Sequence, residues 1–265
     1  MSSHFPKRIV CLTEEGVETL FEIGMGHLVV GVSAFVERPL EAKQLPVVCA
    51  FTGGSVKKIM NCEPDLVLGF SDIQKDLARD LIAQGLSVYI ANHRSISGIL
   101  SYIKMLGYMV GAPLRTDELI TKLEAKIQVA QDFAKTLKVK PRVYIEEWDE
   151  PMICGIEWFN EIVQLCGGIS VTNEISQKGS LAKDRFVSSE QIGALNPDMI
   201  LACWCGKEVD KESFKNRVGL KDTDAVLKNR IIELDPAIFL QPGPAPILDG
   251  IDQLIEIFKN FDPNA

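Results

Sequence analysis

Three groups of residues in this chain have types and spacings that could do chemistry. Cys203-Trp204-Cys205 sets two thiols two positions apart, which suits a soft metal or a dithiol redox pair. A structural zinc site asks for more ligands at close spacing, and His4, His27 and His93 are scattered. Glu146, Glu147, Asp149 and Glu150 crowd carboxylates into one stretch. They read either as a general acid/base pair or as a solvated loop that opens the next helix. Trp148 stands among them, and a large aromatic there is either a plug for the core or a platform for a flat ligand. Nucleotide and acyl chemistry are disfavoured. Leu12-Thr13-Glu14-Glu15-Gly16 stands where a dinucleotide fold carries Gly-x-Gly-x-x-Gly, and the chain has neither a phosphate-loop lysine motif nor a Gly-x-Ser-x-Gly elbow.

The elements around these residues place them. Val143 to Glu146 reads as the end of a buried strand and Trp148 to Cys154 as a loop. From Glu157 to Cys166, apolar Trp158, Ile162, Val163 and Cys166 fall at helical spacing, and Gly167-Gly168 ends that helix. Trp158 at this spacing suits core or site. The loop therefore sits at the carboxyl end of a strand, the edge where open α/β sheets take their ligands. Cys203 and Trp204 follow a second strand, Met199 to Ala202, and reach the same kind of edge.

Upstream, strands at Lys7–Leu12, Leu28–Ser33, Pro64–Gly69 and Ser87–Ile90 alternate with helices, the first capped by Thr13-Glu14-Glu15. Residues 34–53 read mostly as loop. This alternation predicts a parallel sheet with helices on both faces. Leu114 to Leu137 contains no proline or glycine. Thr116-Asp117-Glu118 reads as its N-cap, and Leu119, Leu123, Ile127, Ala130, Phe133 and Leu137 recur at three- and four-residue steps. That is one long amphipathic helix of about six turns. The βα alternation then restarts at Pro141. Cys62-Glu63-Pro64-Asp65-Leu66-Val67-Leu68 matches Leu195-Asn196-Pro197-Asp198-Met199-Ile200-Leu201 in kind, as if one architecture occurred twice. The expected fold is α/β: two Rossmann-like lobes with parallel sheets, 1–113 and 139–265, joined by one linking helix at 114–138. A cleft between such lobes is the natural ligand site, and a rigid linker predicts little closure.

The 265 residues are 46% hydrophobic and 24% charged, an ordinary soluble profile. A net charge of −8 without any basic run argues against nucleic acid, and no apolar run approaches a membrane span. The N-terminus runs into the first strand without an apolar leader, and the seven cysteines mostly sit in apolar patterns. As the sequence stands, both features lead us to expect a reduced, cytoplasmic protein.

The ordered set Gly31-Val32-Ser33-Ala34-Phe35-Val36-Glu37-Arg38-Pro39, Pro64-Asp65-Leu66-Val67-Leu68-Gly69, Glu147-Trp148-Asp149-Glu150-Pro151, Leu165-Cys166-Gly167-Gly168, Val187-Ser188-Ser189-Glu190 and Pro242-Gly243-Pro244 resembles the helix-linked substrate-binding proteins of ABC importers. That group includes vitamin B12, haem and siderophore binders, and the likeness is greatest to the cobalamin-binding branch. The resemblance spans the whole chain. It implies a non-enzymatic binder of a corrinoid such as cobalamin, for transport, storage or hand-over. By position it implies that Phe35, Phe51 and Phe70 of the first lobe and Trp148 of the second meet the ring. Trp204 and Phe239 are further cleft aromatics, and Glu147, Asp149 and Arg185 are expected amide partners.

Relatives that serve an importer carry an acid on each lobe that docks on permease arginines. Glu190 holds the second position, but Lys57 stands at the first, where it would repel a basic patch. Haem or a ferric siderophore is the alternative ligand. His93 suits the axial position of a corrinoid cobalt or haem iron, or an ordinary polar loop. From another class, an enzyme or metallochaperone of cobalamin metabolism would use Cys203 and Cys205.

Overall fold

The computed structural model describes residues 5–50, 53–179 and 181–264. The chain forms two compact units. The first comprises Met1–His93, Ser97–Leu123 and Gln241–Pro244, and the second comprises Arg94–Ile96, Glu124–Leu240 and Ala245–Ala265.

In the first unit, strands β1 (Ile9–Cys11), β2 (Val29–Ser33), β3 (Val47–Cys49), β4 (Leu66–Phe70) and β5 (Val88–Ala91) form an all-parallel sheet in the order β3-β2-β1-β4-β5. The helices are α1 (Glu14–Glu22), α2 (Val56–Asn61), α3 (Lys75–Ala83) and α4 (Ile96–Met109). A central parallel strand is covered on both faces, so β1 reads Ile-Val-Cys with no polar alternation and every residue buried. Strand β3 lies in the stretch expected to be loop. Its Val48 and Cys49 are buried against Val10 and Leu12.

Helix α5 (Pro113–Thr136) is continuous, as the sequence indicates, but it starts before Thr116. Pro113 occupies the first turn, where a missing N–H costs nothing. Thr116 is therefore interior. Its hydroxyl donates to the Ala112 carbonyl at 2.7 Å instead of capping the helix. The boundary between the two units falls inside this helix, at Leu123/Glu124.

In the second unit, β6 (Arg142–Asp149), β7 (Met152–Cys154), β8 (Ile169–Ser170), β9 (Met199–Ala202) and β10 (Ile231–Glu233) form a sheet ordered β10-β9-β6-β7, with β8 also on β6. The pairs β10–β9, β9–β6 and β6–β8 are parallel, and β7 is antiparallel to β6. Residues 148–154, expected to be a loop, are thus a hairpin turning at Glu150-Pro151. Its helices are α6 (Glu157–Leu165), α7 (Asn173–Ser176), α8 (Ser189–Leu195), α9 (Ser213–Asn216), α10 (Asp224–Leu227), α11 (Pro236–Phe239) and α12 (Ile251–Lys259). Ser188 caps α8 through the Gln191 N–H, and the Gln191 side chain returns a bond to the Ser188 N–H.

The sequence repeat is structural. Asp65 accepts the Arg8 N–H at 3.0 Å, and Asp198 accepts the Arg142 N–H at 2.7 Å. In turn Arg8 Nη2 donates to the Cys62 carbonyl and Arg142 Nη2 to the Leu195 carbonyl, each at 2.6 Å. Glu63 and Asn196, the residues before each Pro-Asp, both sit in the left-handed region at φ 47° and 41°. Each unit thereby ties the start of its central strand to the residue that opens the neighbouring strand.

Candidate functional site

The carboxyl edge of the second sheet gathers most of the expected residues. The register between β6 and β7 shifts between Glu146 and Trp148, a bulge at Glu147. Glu146 turns fully into the interior while Glu147 and Trp148 remain half-buried. Glu146 is held from three sides. Arg217 Nη1 donates to Oε1 at 2.9 Å and Oε2 at 2.7 Å, Trp204 Nε1 donates at 3.2 Å and the Tyr144 hydroxyl at 3.1 Å. Burial lifts its carboxyl above the ordinary range, and the Arg217 charge and these hydrogen bonds oppose that lift.

Glu147 and Arg185 pair with each other. Arg185 Nη1 meets Glu147 Oε2 at 2.6 Å and also donates to the Cys154 carbonyl, while Glu147 Oε1 accepts the Ile156 N–H at 2.6 Å. Both were expected to serve ligand amides; in this structure they lock the hairpin to the start of α6. Trp204 and Phe239 are core residues. Trp204 stacks on Phe214 at 6.0 Å, and Phe239 on Phe159 at 4.9 Å. Each is essentially without exposed surface, so neither offers a ring face, a correction to the expectation of cleft aromatics. Trp158 is core as well, its indole donating to the Phe239 carbonyl at 3.0 Å.

Trp148 differs. Its indole donates to the Glu150 carbonyl at 3.0 Å, and Lys207 Nζ lies 4.4 Å from its ring centroid. The same ammonium sits 4.8 Å from the Trp204 ring and 2.6 Å from Asp149. Burial pushes the Asp149 carboxyl up, but the bond from Lys207 and its charge outweigh this and hold it below the ordinary value. Lys207 was not foreseen, although it stands three residues beyond Trp204 on the same edge. Arg217 lies 71 positions from Glu146 and had no local signal.

In the first unit, Phe35 is 43% exposed just beyond β2, while Phe70, at the end of β4, is buried. Phe51 lies outside the described residues. His93 follows β5. Its ring meets Phe70 edge-on at 5.3 Å and stacks on Tyr102 at 4.8 Å. His93 Nε2 is 2.7 Å from the Pro242 carbonyl. A carbonyl only accepts, so Nε2 carries the proton and does not point its lone pair at a metal.

The first turn of α1 is an unforeseen feature of this edge. Glu14, Glu15 and Glu18 are all buried. Thr13 does not cap the helix; its hydroxyl donates to Glu15 Oε1 at 2.6 Å. Burial, and secondarily the neighbouring Glu14 charge, raise the Glu15 carboxyl to about 7 against the Thr13 bond. Burial also raises Glu14, although Gln241 and Ser33 favour its charged form. Glu18 pairs with Arg38 at 3.1 Å.

Cys203 is fully buried and Cys205 exposed. Burial, then the charges of Glu147 and Asp235, push the Cys203 thiol well above its ordinary value. Among the described residues no three His, Cys, Asp or Glu side chains stand together as a metal site, and no helix is long and apolar enough to cross a membrane. Lys57 is exposed on α2 and Glu190 is exposed in the first turn of α8.

The chain is 28% identical over 260 residues to an uncharacterised ABC transporter substrate-binding lipoprotein, YvrC, of Bacillus subtilis, covering 95% of this chain and 79% of that one. It is 25% identical over 200 residues to a vitamin B12-binding protein of Vibrio campbellii, covering 74% and 70% respectively. Its fold matches the apo periplasmic haem-binding protein RhuT of Roseiflexus sp. RS-1 with a TM-score of 0.82 at 26% identity, covering 96% of this chain and 98% of that one. The profile of the periplasmic binding proteins matches residues 9–238. With two α/β units built on parallel sheets and joined through one long helix, the chain belongs to the periplasmic binding protein family.

Proposed function

We propose that the chain is a non-catalytic binder of a macrocyclic ligand, a corrinoid of the cobalamin type. The observation that carries this reading is the half-buried Trp148 at the carboxyl edge of the second sheet, backed by Lys207 and Asp149. A rigid indole fixed by its own N–H presents flat apolar area at little entropic cost, which suits a wide, partly apolar ring. Phe35 offers similar exposed area in the first unit. The likeness to a vitamin B12-binding protein supports the ligand class, and the likeness to a haem-binding protein makes haem the second reading.

Titration with cyanocobalamin, followed by tryptophan quenching and calorimetry with haemin as control, tests it. One-to-one binding of cyanocobalamin, weakened about tenfold by Trp148→Ala, is expected. Haemin binding in its place moves the ligand to the second reading, and silence from both overturns the proposal.

Lys57 and Glu190 are proposed as the docking residues toward a permease. Their opposite charges suit a partner that presents unlike patches. Lys57→Glu should then change capture of the transport partner, and unchanged capture would remove the charge argument.

A further inference from the structure

The first turn of α1 follows β1 at the carboxyl edge of the first sheet, the edge at which open α/β sheets take ligands. Glu14 is only 8% exposed there, and its Oε1 has no hydrogen-bond partner among the described residues. A second orphan packs against the same helix. The Tyr102 hydroxyl is buried without a partner, and it stands 3.1 Å from where a Cβ on Gly16 would be. Buried polar atoms left unpaired are rare and destabilising, more so when charged. Glu18 has Arg38 and Glu15 has Thr13, whereas Glu14 keeps one oxygen unused beside Ser33 and Gln241. The cover over this turn is Gln241–Pro244, which Gly243 brings against Glu15 and which the Pro242 carbonyl ties to His93.

We infer that Glu14 Oε1 is the acceptor for an N–H of the ligand, and that Glu14 selects an amide-fringed macrocycle over a carboxylate-fringed one. This rests on the corrinoid reading above and narrows it. A corrin periphery carries primary amides, which donate to a carboxylate and accept from a carboxylic acid, so either state of Glu14 pairs with it. Haem presents propionates, which can only accept. Glu14 and Glu15, two buried acids in the first turn of α1, oppose a further negative charge by Coulomb repulsion in a medium of low dielectric wherever they are ionised, while the Glu18 charge is answered by Arg38.

The test uses the full chain with three probes: dicyanocobinamide, whose side chains are amides; dicyanocobyrinic acid, in which they are free acids; and haemin. Calorimetry should show the wild type binding the amide form at least about tenfold tighter than the acid form. Glu14→Leu removes the acceptor and should weaken dicyanocobinamide about tenfold. Glu14→Gln keeps the shape and an acceptor while losing the charge, and should bring the amide and acid forms within about threefold. Wild-type binding of the acid form or haemin as tightly as the amide form overturns the inference. So does wild-type binding of dicyanocobinamide that both folded variants reproduce, an outcome that leaves the corrinoid reading standing. Failure of the wild type to bind any of the three overturns that reading, and the inference with it.

Discussion

Lys207 Nζ stands between two indoles, 4.4 Å from the Trp148 centroid and 4.8 Å from that of Trp204, while bonded to Asp149 at 2.6 Å. The half-exposed ammonium keeps the Trp148 ring in one place. Lys207→Ala removes a cation–π contact and a partly exposed ion pair, so stability should fall by less than about 1 kcal/mol. Trp148 emission should shift as its ring loosens. A loss of several kcal/mol in urea unfolding would show that Lys207 supports the core and does not merely steady the ring.

Glu146 and Arg217 should behave differently, because both are largely out of water. Arg217→Ala strands a buried carboxylate and removes a guanidinium that packs 4.3 Å from the Phe214 ring. The expected loss is about 3–5 kcal/mol, read from the urea midpoint. Pairing the change with Glu146→Gln should recover part of it, since the stranded charge is then gone. A double variant no better than the single would show that lost packing dominates.

Glu15 predicts a pH dependence. Its carboxyl is raised from 4.5 to about 7, so the folded chain retains a proton that the unfolded chain gives up. The contribution is complete below the unfolded value and is lost as pH rises through about 7, worth on the order of 3 kcal/mol. Glu14, also raised, acts in the same sense, while Cys11 and Tyr102, shifted upward, stay neutral in this window. Glu15→Gln should flatten stability between about pH 5 and about pH 8 and raise it at the upper end. An unaltered profile would put the titration elsewhere.

The twin aspartates give a matched pair. Asp65→Ala and Asp198→Ala each leave a strand-opening N–H without its carboxylate and should each cost about 1–2 kcal/mol. Their effects should add in the double variant, because the two share no partner. Chemical unfolding of the three variants checks both the size and the additivity.

Much of this fold was legible in the sequence because parallel strands covered on both faces read as unbroken apolar runs, as at Ile9–Cys11 and Met199–Ala202. The Pro-Asp repeat was visible because it is local. The hairpin at 142–154 was not, because its return strand has only Met152, Ile153 and Cys154 to declare it. Helix α5 is legible from Leu114 onward, one residue after Pro113 begins it, although Thr116 only looks like its cap. The edge aromatics divided in a way that period alone cannot show. Trp204 turns inward to meet Glu146, while Trp148 stays half out of the core. The orphan oxygen of Glu14 depends on what fails to approach it, and Gln241 lies far along the chain from it.

All three tryptophans, Trp148, Trp158 and Trp204, lie in the second unit. Intrinsic fluorescence is therefore a one-sided reporter. It registers events around the β6 edge, and the first unit contributes only tyrosine emission to it. Within that signal Trp158 and Trp204 form a fixed blue background, because both are buried with their N–H groups engaged. Only Trp148 has surface left to change, so a spectral shift on ligand addition can be assigned to one ring without labelling the chain.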